Sequence, residues 1–162
     1  MNNRLISLLY VLLLIPACAQ LPKFDTSQVD KSLMPTHVAS DIKNLKGKTV
    51  MWGGTILSGK NLKNSTRLEV LAYPVDEDGW PERDQKPLGR FILSQKGYLE
   101  TADYAKGRVI TVVGTVTGIE KGKVGDSPYT YPVIQVRQLH LWDKSDQKTG
   151  TRFHFGVGVM FH

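Results

Sequence analysis

With one cysteine in 162 residues, the chain has no partner for an internal disulfide. A lone thiol in an oxidising compartment is open to stray pairing, so a chemical use for Cys18 is expected. The apolar run Leu5–Ala17 covers only about 13 residues, against the ~20 that a membrane-spanning helix needs. Histidine is scarce, and His37, His140, His154 and His162 show no close metal-ligand spacing such as H-E-x-x-H. No G-x-S-x-G nucleophile elbow occurs. The pair Gly53-Gly54 lacks the strand-to-helix order and the lysine of a phosphate loop, which leaves a bulge or a close backbone approach. Asp76-Glu77-Asp78-Gly79, with Glu82 and Asp84, lacks the spaced aspartates and terminal glutamate of an EF-hand, and reads as a polar loop. These absences leave no catalytic residue, metal or cofactor to nominate, and a non-enzymatic protein is the expectation.

What is present begins with Arg4, the apolar run, and Leu14-Ile15-Pro16-Ala17-Cys18. This is the pattern of a secretory signal that ends in a lipobox. The thiol of Cys18 is the expected acylation site, small Ala17 suits the signal peptidase, and the freed amine of Cys18 becomes a second acylation site. Pro16 in the middle of the box departs from the usual pattern. Ala19 and Gln20 place no aspartate after the cysteine, which favours the outer over the inner membrane. The expected organisation is a signal peptide over 1–17, a lipidated N-terminus and polar tether over 18–34, and one β-barrel domain over 35–162. About 145 residues remain after cleavage, enough for one domain with a core. The formal charge of +6 suits contact with anionic head groups or lipopolysaccharide, although mixed charge is also the ordinary state of a solvated surface.

Pro35 to Gly47 predicts a short helix, with proline near its start, glycine after its end, and Val38, Ile42 and Leu45 on one face. From Lys48 the period changes to two. Strands are predicted over 49–57, 66–73, 89–94, 108–118 and 129–141, with Leu68, Val70 and Ala72 facing a core between charged neighbours. Leu99–Gly107 predicts one or two helical turns, and Glu120–Ser127 a glycine-rich hairpin loop. Gly114 is expected where a long strand bends. Three strands, a short helix and two strands is the order of an OB-fold barrel. The fold class is therefore all-β, an OB-fold-like five-stranded barrel with one or two short helices and an added C-terminal strand.

The blocks Val50-Met51-Trp52-Gly53-Gly54, Leu68-Glu69-Val70-Leu71-Ala72-Tyr73-Pro74, Gly89-Arg90-Phe91, Gly107 to Gly114, Tyr129-Thr130-Tyr131-Pro132-Val133 and Leu139-His140-Leu141-Trp142 together resemble the Slp family. Those are starvation-inducible outer-membrane lipoproteins of Gram-negative bacteria. The resemblance runs from the lipobox to Trp142. It implies an outer-membrane location and a role in starvation or stationary phase. It carries over one site residue, the lipidated Cys18, and no catalytic residue.

Beyond Trp142, a polar stretch leads to residues 152–162, in which Phe153, Phe155, Val157, Val159 and Phe161 would share one face of a strand. That strand either packs on the barrel or forms a membrane-facing or partner-binding edge. A second functional class is an envelope binding module for a glycan, lipopolysaccharide or protein partner, with Trp52, Tyr73, Tyr98 and Tyr131 as candidate stacking surfaces. Nucleic acid is not an expected partner at the outer membrane.

Overall fold

The structure is a computed structural model and describes residues 22–144. Cys18 and the segment carrying Phe153, Phe155, Val157, Val159 and Phe161 lie outside the described residues. Two short helices, α1 (Pro35–Ser40) and α2 (Ile42–Leu45), precede five strands: β1 (Thr49–Asn61), β2 (Ser65–Tyr73), β3 (Gly89–Lys96), β4 (Val109–Val124) and β5 (Ser127–Leu141). The strands close into a barrel in the order β1-β2-β3-β5-β4, the architecture of an OB-fold.

Closure depends on β1 serving two neighbours. Its first half pairs antiparallel with β4, from Thr49–Thr115 to Thr55–Val109, and its second half pairs antiparallel with β2, from Gly53–Tyr73 to Asn61–Thr66. The two ladders overlap only around Gly53–Thr55, where the strand is paired on both sides. Gly54 makes this possible, because a Cβ there would collide with the carbonyl of Leu71 on β2. A close approach is thus the structural use of the glycine pair, while the β1 register shift falls later, between Ile56 and Ser58. Parallel pairing of Ile92–Ser94 with Val133–Gln135 completes the cylinder.

The alternation expected on β2 is observed, with Leu68, Val70 and Ala72 inside and Arg67 and Glu69 outside. The interior also holds Ile56, Leu93, Ile110 and Ile134, with Trp52 and Phe91 packed at a ring separation of 5.0 Å. Val38 of α1 is fully buried in this core, and Ile42 and Leu45 of α2 lie against it, so the predicted face is correct. The single expected helix is split at Asp41, whose φ of −134° is not helical. Gly114 lies at a β4–β5 register shift, where a Cβ would meet the carbonyl of Gln135 at 2.8 Å.

Two expectations are corrected. Leu99–Gly107 forms turns rather than a helix, with the amides of Asp103 and Tyr104 both donating to the carbonyl of Glu100. Its ends are claimed by strands: the Leu99 amide donates to Thr66 Oγ1 and the Gly107 amide to the carbonyl of Ile56, which leaves no length for helix propagation. Glu120–Ser127 is mostly ladder, not loop. β4 and β5 pair as far as Val124–Ser127 around a two-residue turn in which Gly125 adopts φ +59°.

Gly54, crowded by β2, and Gly118, in open space, make a direct comparison. Gly54→Ala is expected to cost about 3 kcal/mol by forcing β1 away from β2. Gly118→Ala, where an added Cβ meets nothing within 4 Å, should stay within about 0.5 kcal/mol of wild type. Urea unfolding of the two variants measures the difference, and equal stabilities would contradict the close approach at Gly54.

Candidate functional site

A groove of about 1220 Å³ lies on the outside of the barrel. One wall is the segment Pro22–Met34, and the other is the turn within the long β2–β3 loop. Strand β1 lies beneath, contributing Met51 and Trp52.

The first wall, residues 22–34, is bonded along the barrel. Val29 bridges Thr49 in parallel, and the Asp30 amide donates to the Thr49 carbonyl at 2.9 Å. The Asp25 amide donates to Gln138 Oε1 at 2.8 Å, and Trp52 Nε1 donates to the carbonyl of Leu33 at 2.7 Å. Two local turns stiffen the segment. Asp25 Oδ1 accepts from the Ser27 hydroxyl at 2.7 Å and its amide at 3.1 Å, and Asp30 Oδ1 accepts from Ser32 in the same way at 2.6 and 3.1 Å. These serine hydroxyls, and then the amides, hold both carboxyls below the usual 3.8. The lowered values mean that the turns stabilise the segment at neutral pH and lose that contribution only in acid, as pH falls through the folded values.

The second wall is built by Asp76, whose Oδ1 accepts from the amides of Asp78 at 3.0 Å and Trp80 at 2.8 Å. This employs the carboxylate in turn geometry, and among the described residues there is no cluster of three or more His, Cys, Asp or Glu arranged to hold a metal ion. Beyond the turn, Val75 bridges Pro81, and both sit over Gly53, where a Cβ would strike them at 2.6 and 2.7 Å. Trp80 then enters a second apolar cluster with Val109, Trp142 and Phe24. Trp80 and Trp142 meet edge to face at 4.9 Å. Thr111, fully buried, joins the parts: its hydroxyl donates to the Gly79 carbonyl at 2.6 Å and accepts from Trp142 Nε1 at 3.0 Å. Phe24 and Trp80 were not singled out in the sequence; each is an isolated aromatic in polar surroundings, which was the available signal.

Between these walls the floor is apolar, with Leu33, Met51, Trp52 and Leu88. The rims carry opposite charge: Lys23 and Lys31 stand on the N-terminal segment, and Glu77 and Asp78 on the turn opposite. All four are exposed.

The four candidate stacking aromatics are not brought to one surface. Trp52 packs in the barrel core and reaches the groove that Tyr73 also lines, while Tyr98 stands 69% exposed just after β3. Tyr131 is 5% exposed under the β4–β5 hairpin, where its hydroxyl donates to the Lys123 carbonyl at 3.0 Å and lies 3.3 Å from Glu69 Oε1. Burial, and then the Glu69 charge, push its phenol above 10.0. On the same face Arg90 pairs with Glu69 at 2.9 Å, and Arg67 pairs with Glu120 of the hairpin. These cations are therefore already neutralised by carboxylates. Of the histidines, His37 lies in α1 and His140 stacks edge to face on Trp142 at 4.5 Å, while His154 and His162 fall outside the described residues.

Residues 15–159 match the Outer membrane lipoprotein Slp family. Among curated proteins, the chain is 33% identical over 101 residues to the uncharacterized lipoprotein YeaY of Escherichia coli, covering 62% of this chain and 52% of that protein. It is 40% identical over 99 residues to an uncharacterized protein of Haemophilus influenzae, covering 60% of this chain and 54% of that one. The chain thus spans about half the length of these first two relatives. To the outer membrane protein Slp of Escherichia coli it is 24% identical over 154 residues, 91% of this chain and 80% of that protein. Among solved structures, the mitochondrial single-stranded DNA binding protein Rim1 of S. cerevisiae aligns at 14% identity and a TM-score of 0.38, over 59% of this chain and 95% of that one.

The Thr111 hydroxyl holds the turn-side wall to the second apolar cluster. Thr111→Val keeps the side-chain size but strips the partner from the Gly79 carbonyl and the Trp142 indole, and is expected to cost about 2 kcal/mol. Loss of near-ultraviolet circular dichroism from the coupled Trp80–Trp142 pair should accompany the lower urea midpoint. An unchanged spectrum and midpoint would mean that the wall is held by other contacts.

Proposed function

The chain belongs to the Slp family of outer membrane lipoproteins, and on that premise we propose that it is a non-enzymatic envelope protein held by acyl chains on Cys18. In this role it contributes to envelope stability or to contacts between envelope components during starvation or stationary phase. The observation that carries the reading is the fixed course of Pro22–Met34 along β1, through the Val29–Thr49 bridge and the Leu33–Trp52 bond. A lipid at Cys18 would sit only four residues before that fixed segment. The anchor would then hold the barrel close to the membrane and limit its orientation, as suits a protein that acts at the envelope surface.

The groove favours a second reading, that of an envelope binding module. Its apolar floor and charged rims suit a ligand with both an apolar and a polar part better than a bare glycan. The β2–β3 face is less suited to polyanions, since Arg67 and Arg90 already face Glu120 and Glu69.

The intact mass of detergent-extracted protein tests the anchor. Wild type is expected to begin at Cys18, carry covalent acyl mass and fractionate with the outer membrane. Cys18→Ser should lack that mass and leave the outer-membrane fraction. An unacylated wild type that fractionates like the variant would refute the anchored reading.

A further inference from the structure

Resting on the reading that Cys18 carries the anchor, we propose that the groove between Pro22–Met34 and the Asp76–Asp78 turn seats one aminophospholipid taken from the leaflet in which the chain is anchored.

Position comes first. Pro22 lines the groove and lies four residues after Cys18. Extended chain covers at most ~3.6 Å per residue, so the groove is held within roughly 14 Å of the lipidated residue. An acyl chain leaving that leaflet therefore has a short path to the apolar floor.

Shape and chemistry follow. Met51 and Met34 are unbranched, polarisable side chains that adapt to a flexible hydrocarbon, and Leu33, Leu88 and the edge of Trp52 extend the apolar surface. Above this floor the two rims differ in sign. Lys23 and Lys31 suit a phosphate, and Glu77 and Asp78 suit an ammonium group. Asp76 also lines the groove, but its carboxylate is engaged by the amides of Asp78 and Trp80 and takes no part in this count. A zwitterionic head group with a primary amine satisfies both rims. A fatty acid or a phosphoglycerol lipid offers only negative charge and meets Glu77 and Asp78 unfavourably. A trimethylated choline head carries positive charge but no N–H to donate to those carboxylates. The walls are set before binding, by the Leu33–Trp52 bond on one side and the Thr111–Gly79 bond on the other.

The test is native mass spectrometry of the full-length mature protein in detergent, with phosphatidylethanolamine, phosphatidylglycerol or phosphatidylcholine added singly. Wild type is expected to retain one phosphatidylethanolamine and about tenfold less of either other lipid. Two exposed-charge reversals, Lys23→Glu with Lys31→Glu and Glu77→Lys with Asp78→Lys, should each lower that occupancy about tenfold. Their circular dichroism should match wild type, so lost binding is not lost folding.

Equal retention of all three lipids by wild type and both variants, or retention of none, overturns the proposal. So does a chain that takes up phosphatidylethanolamine only after deletion of residues 152–162, because the C-terminal segment would then be the occupant. A lipid seen only at the mass of a dimer overturns it as well. The same sample sprayed under denaturing conditions reports the covalent acyl mass separately. Covalent acylation without a retained lipid refutes the groove alone. Selective lipid retention on an unacylated chain supports the groove and refutes the anchor alone.

Discussion

The structure hangs on two residues without side chains at the middle of β1. Gly54 lets β2 cross at a distance that no Cβ allows, so one strand serves both halves of the barrel. Gly53, pointing to the other face, leaves room for Val75 and Pro81 and so lets the long loop fold back onto the strand. Closure of the core and placement of the groove wall therefore arise at adjacent positions. A side chain at Gly53 would expel the loop, and one at Gly54 would open the barrel.

From that point the outer layer assembles by a small number of directional contacts. The loop is fastened by Thr111 and Trp80, and the N-terminal segment by the Val29–Thr49 bridge and the Trp52–Leu33 bond. Phe24 links the two, because it packs in the Trp80–Trp142 cluster and also lines the groove. The groove is thus a consequence of how two irregular segments are pinned to one strand. Its location near the N-terminus ties the candidate site to the membrane anchor proposed for Cys18.

Much of the barrel was legible in the sequence, because half-buried strands write their burial as alternation; Leu68, Val70 and Ala72 are the plainest case. The helical face of Val38, Ile42 and Leu45 was legible for the same reason at a different period. Glu120–Ser127 reads as loop because Glu120, Lys121 and Lys123 leave no apolar face there, whereas the pairing of its first part with β5 is made by the backbone. Leu99–Gly107 carries helix-compatible residues, but long-range bonds to Thr66 and Ile56 fix its ends. The segment 22–34 has no period at all, and its attachment uses isolated residues such as Phe24 and Leu33 whose partners lie far along the chain. Family membership was carried by the ordered blocks and the lipobox, which local chemistry alone would not have joined.

The chain next to the anchor proposed for Cys18 is part of the folded body. Amide hydrogen exchange on the full-length mature protein, resolved over residues 22–40, tests it most directly. The Asp30 amide, bonded to the Thr49 carbonyl, is expected to be protected together with the Val38 amide of α1. Exchange of Asp30 at the rate of an unfolded chain, with Val38 still protected, would mean that the barrel hangs from a free tether, and the groove would then lack one of its walls.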